Sequence, residues 1–207
     1  MRSYNISALA GRAQLPDTSV MTDTAYLRNH FLIAMPQLAD PNFSHTVTYI
    51  CEHNEEGALG IVINRTMDVT LGDVLQHMKI QAGERVDTTA PIYSGGPVQP
   101  ERGFVLHRPV GAWTSSLPIT DDIALTTSRD IMTAIGHGEG PKQFLLALGY
   151  AGWGAGQLEQ EMADNAWLSG PADPGILFEL PVEERWGAAA ALIGVDLTLL
   201  SSETGHA

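Results

Sequence analysis

The sequence is poor in cysteine and in long apolar runs, and each shortage excludes a class of protein. Cys51 is the only cysteine among 207 residues, so an intramolecular disulfide is impossible and a reducing compartment is expected. No stretch approaches the roughly 18 consecutive apolar residues that a membrane-spanning helix needs. The N-terminus also lacks the apolar core of a secretory signal. We therefore expect a cytoplasmic protein with no membrane association.

Basic residues are scarce as well. The chain has 11 lysines and arginines against 24 aspartates and glutamates, which gives a formal net charge of −13. The basic residues are scattered along the chain and form no run. Nucleic-acid affinity depends on clustered positive charges that neutralise phosphates, so direct binding to DNA or RNA is not expected. The acidity is instead expected to serve solubility or to complement a basic partner.

What remains is the composition of one globular domain, with 44% hydrophobic and 17% charged residues. Residues 1–25 are polar and lack periodicity, which predicts a flexible N-terminal extension. Residues 26–200 contain no linker or internal repeat and are predicted to form a single domain. Residues 201–207 are predicted to form a tail.

The apolar patterns within this domain predict both strands and helices. Strands are predicted at 30–36, 45–53, 58–64, 91–98, 102–108, 122–128, 143–150 and 195–200. Helices are predicted after an N-cap at Thr70, after Thr127 or Ser128 with a C-cap at Gly136, and from Pro181 to Gly194. The strands around the Gly-Gly-Pro turn are expected to form a hairpin. Hairpins mixed with strand–helix alternation predict a mixed α/β or α+β fold.

A glycine-rich stretch, 148–162, joins the strand predicted at 143–150 to an acidic amphipathic segment. A strand, a glycine turn and a helix in this order can cradle a phosphate on backbone N–H groups. The stretch lacks both the Lys-Ser/Thr pair of a P-loop and the G-x-G-x-x-G spacing, and Glu159 and Glu161 would repel a phosphate. We therefore interpret the glycines as a strand-to-helix corner.

Cys51 and His53 lie two residues apart in a predicted strand, which would place both side chains on one face. They could bind a metal ion if a third ligand came from elsewhere. A buried cysteine beside a hydrogen-bonded histidine is the simpler interpretation. Glu52 and the apolar neighbours would raise the pKa of the Cys51 thiol, which makes it a poor nucleophile. We predict no metal site and no cofactor.

Ser94 precedes Gly95 and Gly96, whose backbone N–H groups could bind an anion, and His107 would lie close across the predicted hairpin. A glycine turn beside a hydrogen-bonded histidine explains the same residues without a ligand.

An enzyme is the alternative function. A small hydrolase or nucleotide-binding enzyme would use His53 or His107 as general base for a nucleophile such as Ser94, Ser128 or Cys51. This requires that the fold bring these side chains together.

Three stretches taken in order resemble the bacterial AlgH/YqgE family: "ICEHNEEGALGIVIN", "IYSGGPVQPERGFVLH" and "LALGYAGWGAGQLEQEMADNAWL". The resemblance extends from about Arg28 to Leu199. It implies a branched β-sheet, partly closed like a small barrel and surrounded by helices, in a cytosolic protein with no established catalytic activity or cofactor. The family takes one name from a reported link to control of alginate exopolysaccharide production, and some members are labelled transcriptional regulators. No catalytic residue set is implied.

Together these observations predict a non-enzymatic binding or regulatory protein that acts through a protein partner or a small ligand. Polar side chains and turn glycines gather at predicted strand ends, where sheet proteins commonly bind ligands. The candidate binding residues are Glu52, His53, Asn54, Asn64, Arg65, Ser94, Gly95, Gly96, Pro97 and His107.

Overall fold

The computed structural model of the protein describes residues 26–197, which form a ten-stranded sheet and five α-helices. The extension predicted at 1–25 and the tail predicted at 201–207 lie outside these residues. The strands are β1 (His30–Ala34), β2 (Val47–Asn54), β3 (Gly57–Val62), β4 (Thr66–Thr70), β5 (Pro91–Ser94), β6 (Val98–Arg108), β7 (Ser116–Pro118), β8 (Ala124–Thr126), β9 (Gln143–Gly154) and β10 (Trp167–Pro171). The helices are α1 (Leu71–His77), α2 (Arg129–His137), α3 (Gln157–Ala163), α4 (Pro174–Phe178) and α5 (Arg185–Leu192).

The sheet curls into a half-barrel and branches at β9. Its main path runs β10-β1-β2-β3-β9-β6-β8-β7, with antiparallel neighbours throughout. The C-terminal part of β9 pairs with β3, whereas its middle pairs in parallel with β5, and β5 carries β4 as an outer partner. The mixed α/β class and the branched, partly closed sheet implied by the family resemblance are therefore confirmed.

The hairpin predicted through the Gly-Gly-Pro turn is wrong, because β9 lies between β5 and β6. The chain instead crosses from one edge of β9 to the other at Gly95 and Gly96. A Cβ added at Gly95 would lie 2.3 Å from the oxygen of Gly149, and one at Gly96 would lie 2.2 Å from the carbonyl carbon of Tyr150. Only glycines allow two backbones to pass this closely. The glycine stretch therefore belongs to β9 itself, and the predicted corner follows it at Gly156, the left-handed N-cap of α3.

The first two helices follow their sequence signals in part. Thr70 caps α1 as predicted: its side chain accepts from the backbone N–H of Asp73, and the Asp73 carboxylate accepts from the backbone N–H of Thr70 at 2.9 Å. Ser128 occupies the N-cap position of α2 but makes no capping hydrogen bond. The C-cap of α2 is Gly138, in the left-handed conformation, and the prediction of Gly136 is wrong because that residue is buried inside the last turn.

The predicted last helix also forms. A 3-10 turn, Val182–Glu184, leads into α5, and Gly194 ends the segment with a φ of 76°. The strand predicted at 195–200 is not observed in the part that can be described. Residues 195–197 form no strand, and 198–200 lie outside the described residues.

Helices cover both faces of the sheet and divide the interior into three apolar clusters. Helices α4 and α5 close the largest cluster, and α3 closes a second one around Trp153 and Trp167. Helices α1 and α2 close the third against Val105 of β6 and Leu146 of β9. Within residues 26–197, no helix has the length and apolar character needed to cross a bilayer.

Candidate ligand-binding site

A cavity of about 650 Å³ lies where α1 and α2 pack over β6 and β9. We call it the α1–α2 cavity. Its floor is formed by Gly103 and Val105 of β6 and by Leu146 and Leu148 of β9, which pair directly across the two strands. Alternate residues of a strand share a face, which is why these four positions form one apolar surface. The volume lies within the range of small-molecule sites, roughly 300–1,000 Å³.

The cavity stays open because its floor lacks one side chain. A Cβ added at Gly103 would meet only Leu146 Cδ1, at an ordinary contact distance of 3.8 Å. The walls are apolar as well, with Val74 and Met78 on the α1 side and Met132 on the α2 side. A Cβ at position 103 would therefore displace no backbone, and a longer side chain there would extend from the cavity floor.

Two arginines stand at the rim and are held by neutral groups. Arg129 Nη2 donates to the backbone oxygen of Met78 at 2.5 Å and so connects α2 to the end of α1. The Arg102 guanidinium donates to Thr127 Oγ1 and Gln99 Oε1, each at 3.3 Å. Within the described range, neither arginine forms an ion pair with a carboxylate. Most of their N–H donors remain available to a ligand.

Two carboxylates and a histidine also reach the cavity lining. The Asp73 carboxylate accepts from the backbone N–H and the hydroxyl of Thr70, and these hydrogen bonds lower its pKa. Asp73 is thus occupied by the capping box of α1. Glu101 and His77 are exposed to solvent.

The candidate residues predicted from sequence fall into separate places. Glu52, His53 and Asn54 end β2, whereas Asn64 and Arg65 follow β3 at the other end of the β2–β3 hairpin. The six residues of β3, at about 3.4 Å each, separate the two groups by roughly 20 Å. The structure therefore does not join them into one surface.

Asn64 and Arg65 lie close to Ser94, and their side chains fix neighbouring backbone. Asn64 Oδ1 accepts from the backbone N–H of Val47 at 2.8 Å, and the Arg65 guanidinium donates to the backbone oxygen of Ser44 at 2.9 Å. The backbone N–H of Ser94 donates to the oxygen of Arg65 at 2.9 Å. Pro97, at the end of the Gly95–Pro97 crossing, is exposed. These groups stabilise the crossing beside β9.

His53 is buried between the start of the domain and α3. Its Nδ1 accepts from the backbone N–H of Leu27 at 3.0 Å, its Nε2 donates to Glu159 Oε1 at 2.9 Å, and the Tyr26 ring packs edge-on against it at 5.3 Å. Both ring nitrogens are therefore engaged within the fold, as expected for the predicted hydrogen-bonded histidine.

The prediction that Cys51 and His53 share a face is wrong. A register shift between Ile50 and Glu52 interrupts the alternation of β2. Cys51 consequently lies in the largest apolar cluster, whereas Ala58, the direct partner of His53, lies in the cluster beneath α3. Burial, and secondarily Glu52, raises the pKa of the Cys51 thiol. Within residues 26–197, no group of three or more histidine, cysteine or acidic side chains is arranged to hold a metal ion.

His107 is fully buried and does not lie beside Ser94. It pairs with Phe144, whereas Ser94 pairs with Leu148, so about 13 Å of β9 separates them. Its Nδ1 lies 3.1 Å from the backbone oxygen of Pro109, and its Nε2 lies 2.8 Å from a hydroxyl, that of Thr126. Because a carbonyl only accepts, Nδ1 carries the proton of the neutral ring. The prediction that His107 lies close to Ser94 is wrong, because it assumed a hairpin between β5 and β6 that does not form.

Burial lowers the pKa of His107, and this makes stability depend on pH. Above about pH 6.5 the ring is neutral in both the folded and unfolded chains. As the pH falls below that value, the unfolded chain binds a proton before the folded one does, so the free energy of unfolding decreases. We expect urea unfolding at pH 7.5 and pH 5 to show this loss, and His107→Gln to reduce it. An equal loss in the variant would contradict the assignment.

Comparison with known proteins identifies one family over nearly all of the described residues. The DUF179 family model, described as AlgH-like, matches residues 31–198. A UPF0301 protein from Thioalkalivibrio sulfidiphilus is 61% identical over 187 residues, covering 90% of this chain and 100% of the relative. One from Nitrosococcus oceani is 57% identical, with the same coverage.

Solved structures agree. The solution structure of the AlgH protein from Pseudomonas aeruginosa has a TM-score of 0.73 and 53% identity, covering 91% of this chain and 100% of that one. A crystal structure of a Corynebacterium diphtheriae protein, 21% identical with a TM-score of 0.69, shares the fold over 88% of this chain and 95% of its own. The chain belongs to the AlgH-like family.

Proposed function

We propose that this protein is a non-enzymatic, cytoplasmic binding protein whose small ligand occupies the α1–α2 cavity. The observation that carries the proposal is an open apolar floor around Gly103 beneath a rim with two arginines that have no acidic partner among residues 26–197. An apolar body with a few converging polar groups is the usual make-up of a ligand site.

The alternative, a small hydrolase or nucleotide-binding enzyme, finds less support in the hydrogen bonds of its two candidate bases. His53 is engaged by Leu27 and Glu159, and His107 by Pro109 and Thr126. None of the nucleophiles considered from sequence, Ser94, Ser128 and Cys51, is among these partners. A general base must act within hydrogen-bonding reach of the proton it removes, or through one water. Binding without turnover is therefore the function we favour.

The proposal also includes a regulatory role exerted through a protein partner. A net charge of −13 disfavours direct contact with DNA, whereas it suits a partner with a basic surface. The AlgH-like family takes one name from a reported link to alginate production, so membership in it extends the proposal to control of exopolysaccharide production. Ligand binding in the cavity would then set the affinity for that partner.

The site can be tested by filling it. Fluorescent apolar dyes should bind the wild-type protein, Gly103→Leu should weaken this binding, and Gly103→Phe should abolish it, because each side chain takes up more of the free space above the floor. Dye titration followed by fluorescence measures the affinity, and urea unfolding of each variant measures stability.

Gly103→Ala is the matched control, since its single methyl group makes only an ordinary contact with Leu146. It should bind dye within about twofold of the wild type, because it adds no more than one such contact. Stability should be retained across the series. Dye affinity that is the same in the alanine and phenylalanine variants would place the ligand elsewhere and remove the proposed site.

A further inference from the structure

We infer that the α1–α2 cavity takes a small organic anion, with its apolar body on the β6–β9 floor and its negative group at the rim between Arg102 and Arg129. The inference rests on the proposed binding function and adds the chemical class of the ligand.

The two rim arginines lack ion pairs in a chain that is rich in carboxylates. Acidic residues outnumber basic ones by 24 to 11, so carboxylate partners for an arginine are abundant. Arg108, for example, pairs with Asp122 at 2.9 Å. Arg102 and Arg129 nevertheless form no ion pair within the described part of the chain, and both line the same cavity. An incoming anion would supply the missing negative charge.

Hydrogen bonds within the fold already position the two guanidiniums. Arg129 is held by the backbone oxygen of Met78, and Arg102 is held by the side chains of Thr127 and Gln99. All of these acceptors are neutral, and the Arg102 guanidinium also lies over the Phe104 ring at 5.5 Å. Within the described residues, no carboxylate compensates either positive charge. Arginine presents several N–H donors in a planar fork that matches carboxylate and sulfonate oxygens. Little side-chain entropy would be lost when an anion binds, because the side chains are already ordered.

Two carboxylates near the cavity and its apolar floor limit the charge and the shape of the ligand. Glu101 and Asp73 also line the cavity, but Asp73 is occupied by the α1 capping box and Glu101 is exposed to water. These carboxylates would repel ligands of high negative charge, which favours a monoanion. The apolar floor leaves hydrocarbon exposed unless the ligand brings a body of its own, so a bare inorganic anion would fit poorly.

A pair of dyes separates the two parts of the inference. Anilinonaphthalene sulfonate and its uncharged parent, phenylnaphthylamine, share one aromatic body and differ in the sulfonate. Both should bind the wild-type protein, and the sulfonate should bind about tenfold or more tightly, the lower end of the gain from a hydrogen bond between charged groups. Added sodium chloride should weaken binding of the sulfonate dye and leave binding of the uncharged parent unchanged, because salt screens charge.

Arg129→Gln and Arg102→Gln identify the groups responsible. Each variant should weaken binding of the sulfonate dye by about 10- to 100-fold, the factor expected for one charged hydrogen bond. Affinity for the uncharged parent should change by less than about twofold. Lys142→Gln, which removes one exposed charge that does not line the cavity, is the control and should change neither dye.

The anion inference would be overturned if the two dyes bound with equal affinity, or if the arginine variants lost affinity for both dyes equally. Either result would leave the cavity as an apolar site. Binding of either dye that persists in Gly103→Phe would instead overturn the proposed function. The two failures are therefore distinguishable.

Discussion

Gly149→Ala is expected to lower the free energy of unfolding by more than about 4 kcal/mol or to prevent folding, whereas Gly156→Ala should lower it by only about 1–2 kcal/mol. Both glycines have left-handed backbones, with φ of 73° and 72°. They differ in surroundings: a Cβ at Gly149 would lie 2.3 Å from the oxygen of Gly96, and one at Gly156 would meet nothing within 4 Å. The pair therefore separates the effect of backbone conformation from that of contact.

The measurement is urea unfolding of the soluble variants, together with the soluble fraction after expression. At Gly149 the added methyl group would press on the backbone of the Gly95–Pro97 crossing, which cannot move without breaking its bonds to β3 and β9. The oxygen of Gly95 accepts from Val62, and its N–H donates to Leu148. Similar losses in the two variants would show that the crossing is looser than the structure indicates.

Glu161→Leu should lower the free energy of unfolding by about 3–6 kcal/mol, because one carboxylate oxygen serves two buried indoles. Glu161 Oε2 accepts from Trp153 Nε1 and Trp167 Nε1, both at 2.9 Å. The two tryptophans are only 2% and 3% exposed, so neither indole N–H could turn to water instead. Each hydrogen bond to a charged group contributes about 1.5–3 kcal/mol.

Urea unfolding followed by tryptophan fluorescence measures this loss directly. Glu161→Gln is the informative companion variant, since its amide oxygen can still accept from an indole without the charge, and its loss should be smaller. Glu183→Leu removes an exposed carboxylate in the 3-10 turn before α5 and should change stability by less than about 0.5 kcal/mol. A loss at Glu161 no larger than at Glu183 would contradict the paired hydrogen bonds.

Local signals explain which parts of the fold were predictable. The uninterrupted apolar run Ile61-Val62-Ile63 marks the strand predicted at 58–64, and all three residues are buried. The N-cap at Thr70 was predictable because its capping partner, Asp73, lies within one helical turn. Such features depend on neighbours a few positions away, and the sequence displays them directly.

Two of the wrong predictions depend on packing across the sheet, whereas the C-cap of α2 was misplaced locally, by two residues. The Gly-Gly-Pro segment has the composition of a hairpin turn, but β9, some 50 residues later, occupies the place between the two strands. Cys51 and His53 would share a face only if β2 were a regular strand. The bulge in β2 cannot be recognised from the residue types around it. Strand order and bulges are decided by packing across the sheet, which short patterns do not encode.

The candidate site was missed for a related reason. Its floor comes from β6 and β9, and Arg102 and Arg129 line one cavity only when α2 packs over the sheet. One signal was present, the isolated Gly103 between Arg102 and Phe104 in an otherwise regular strand pattern. A glycine inside a strand commonly marks a bulge or a position where something approaches the backbone closely.

The central place of β9 also dictates the order in which the molecule can assemble during translation. Strands β3, β5 and β6 leave the ribosome before β9, and each can pair at one edge with β2, β4 or β8 while its other edge waits for β9. The outer edge of β1 waits still longer, for β10. Until residue 154 has emerged, the nascent chain exposes apolar strand edges that have no partner. Such non-local pairing slows folding and leaves intermediates open to aggregation. Newly made chains should therefore need chaperone protection late in synthesis, and fragments that end before β9 should not fold.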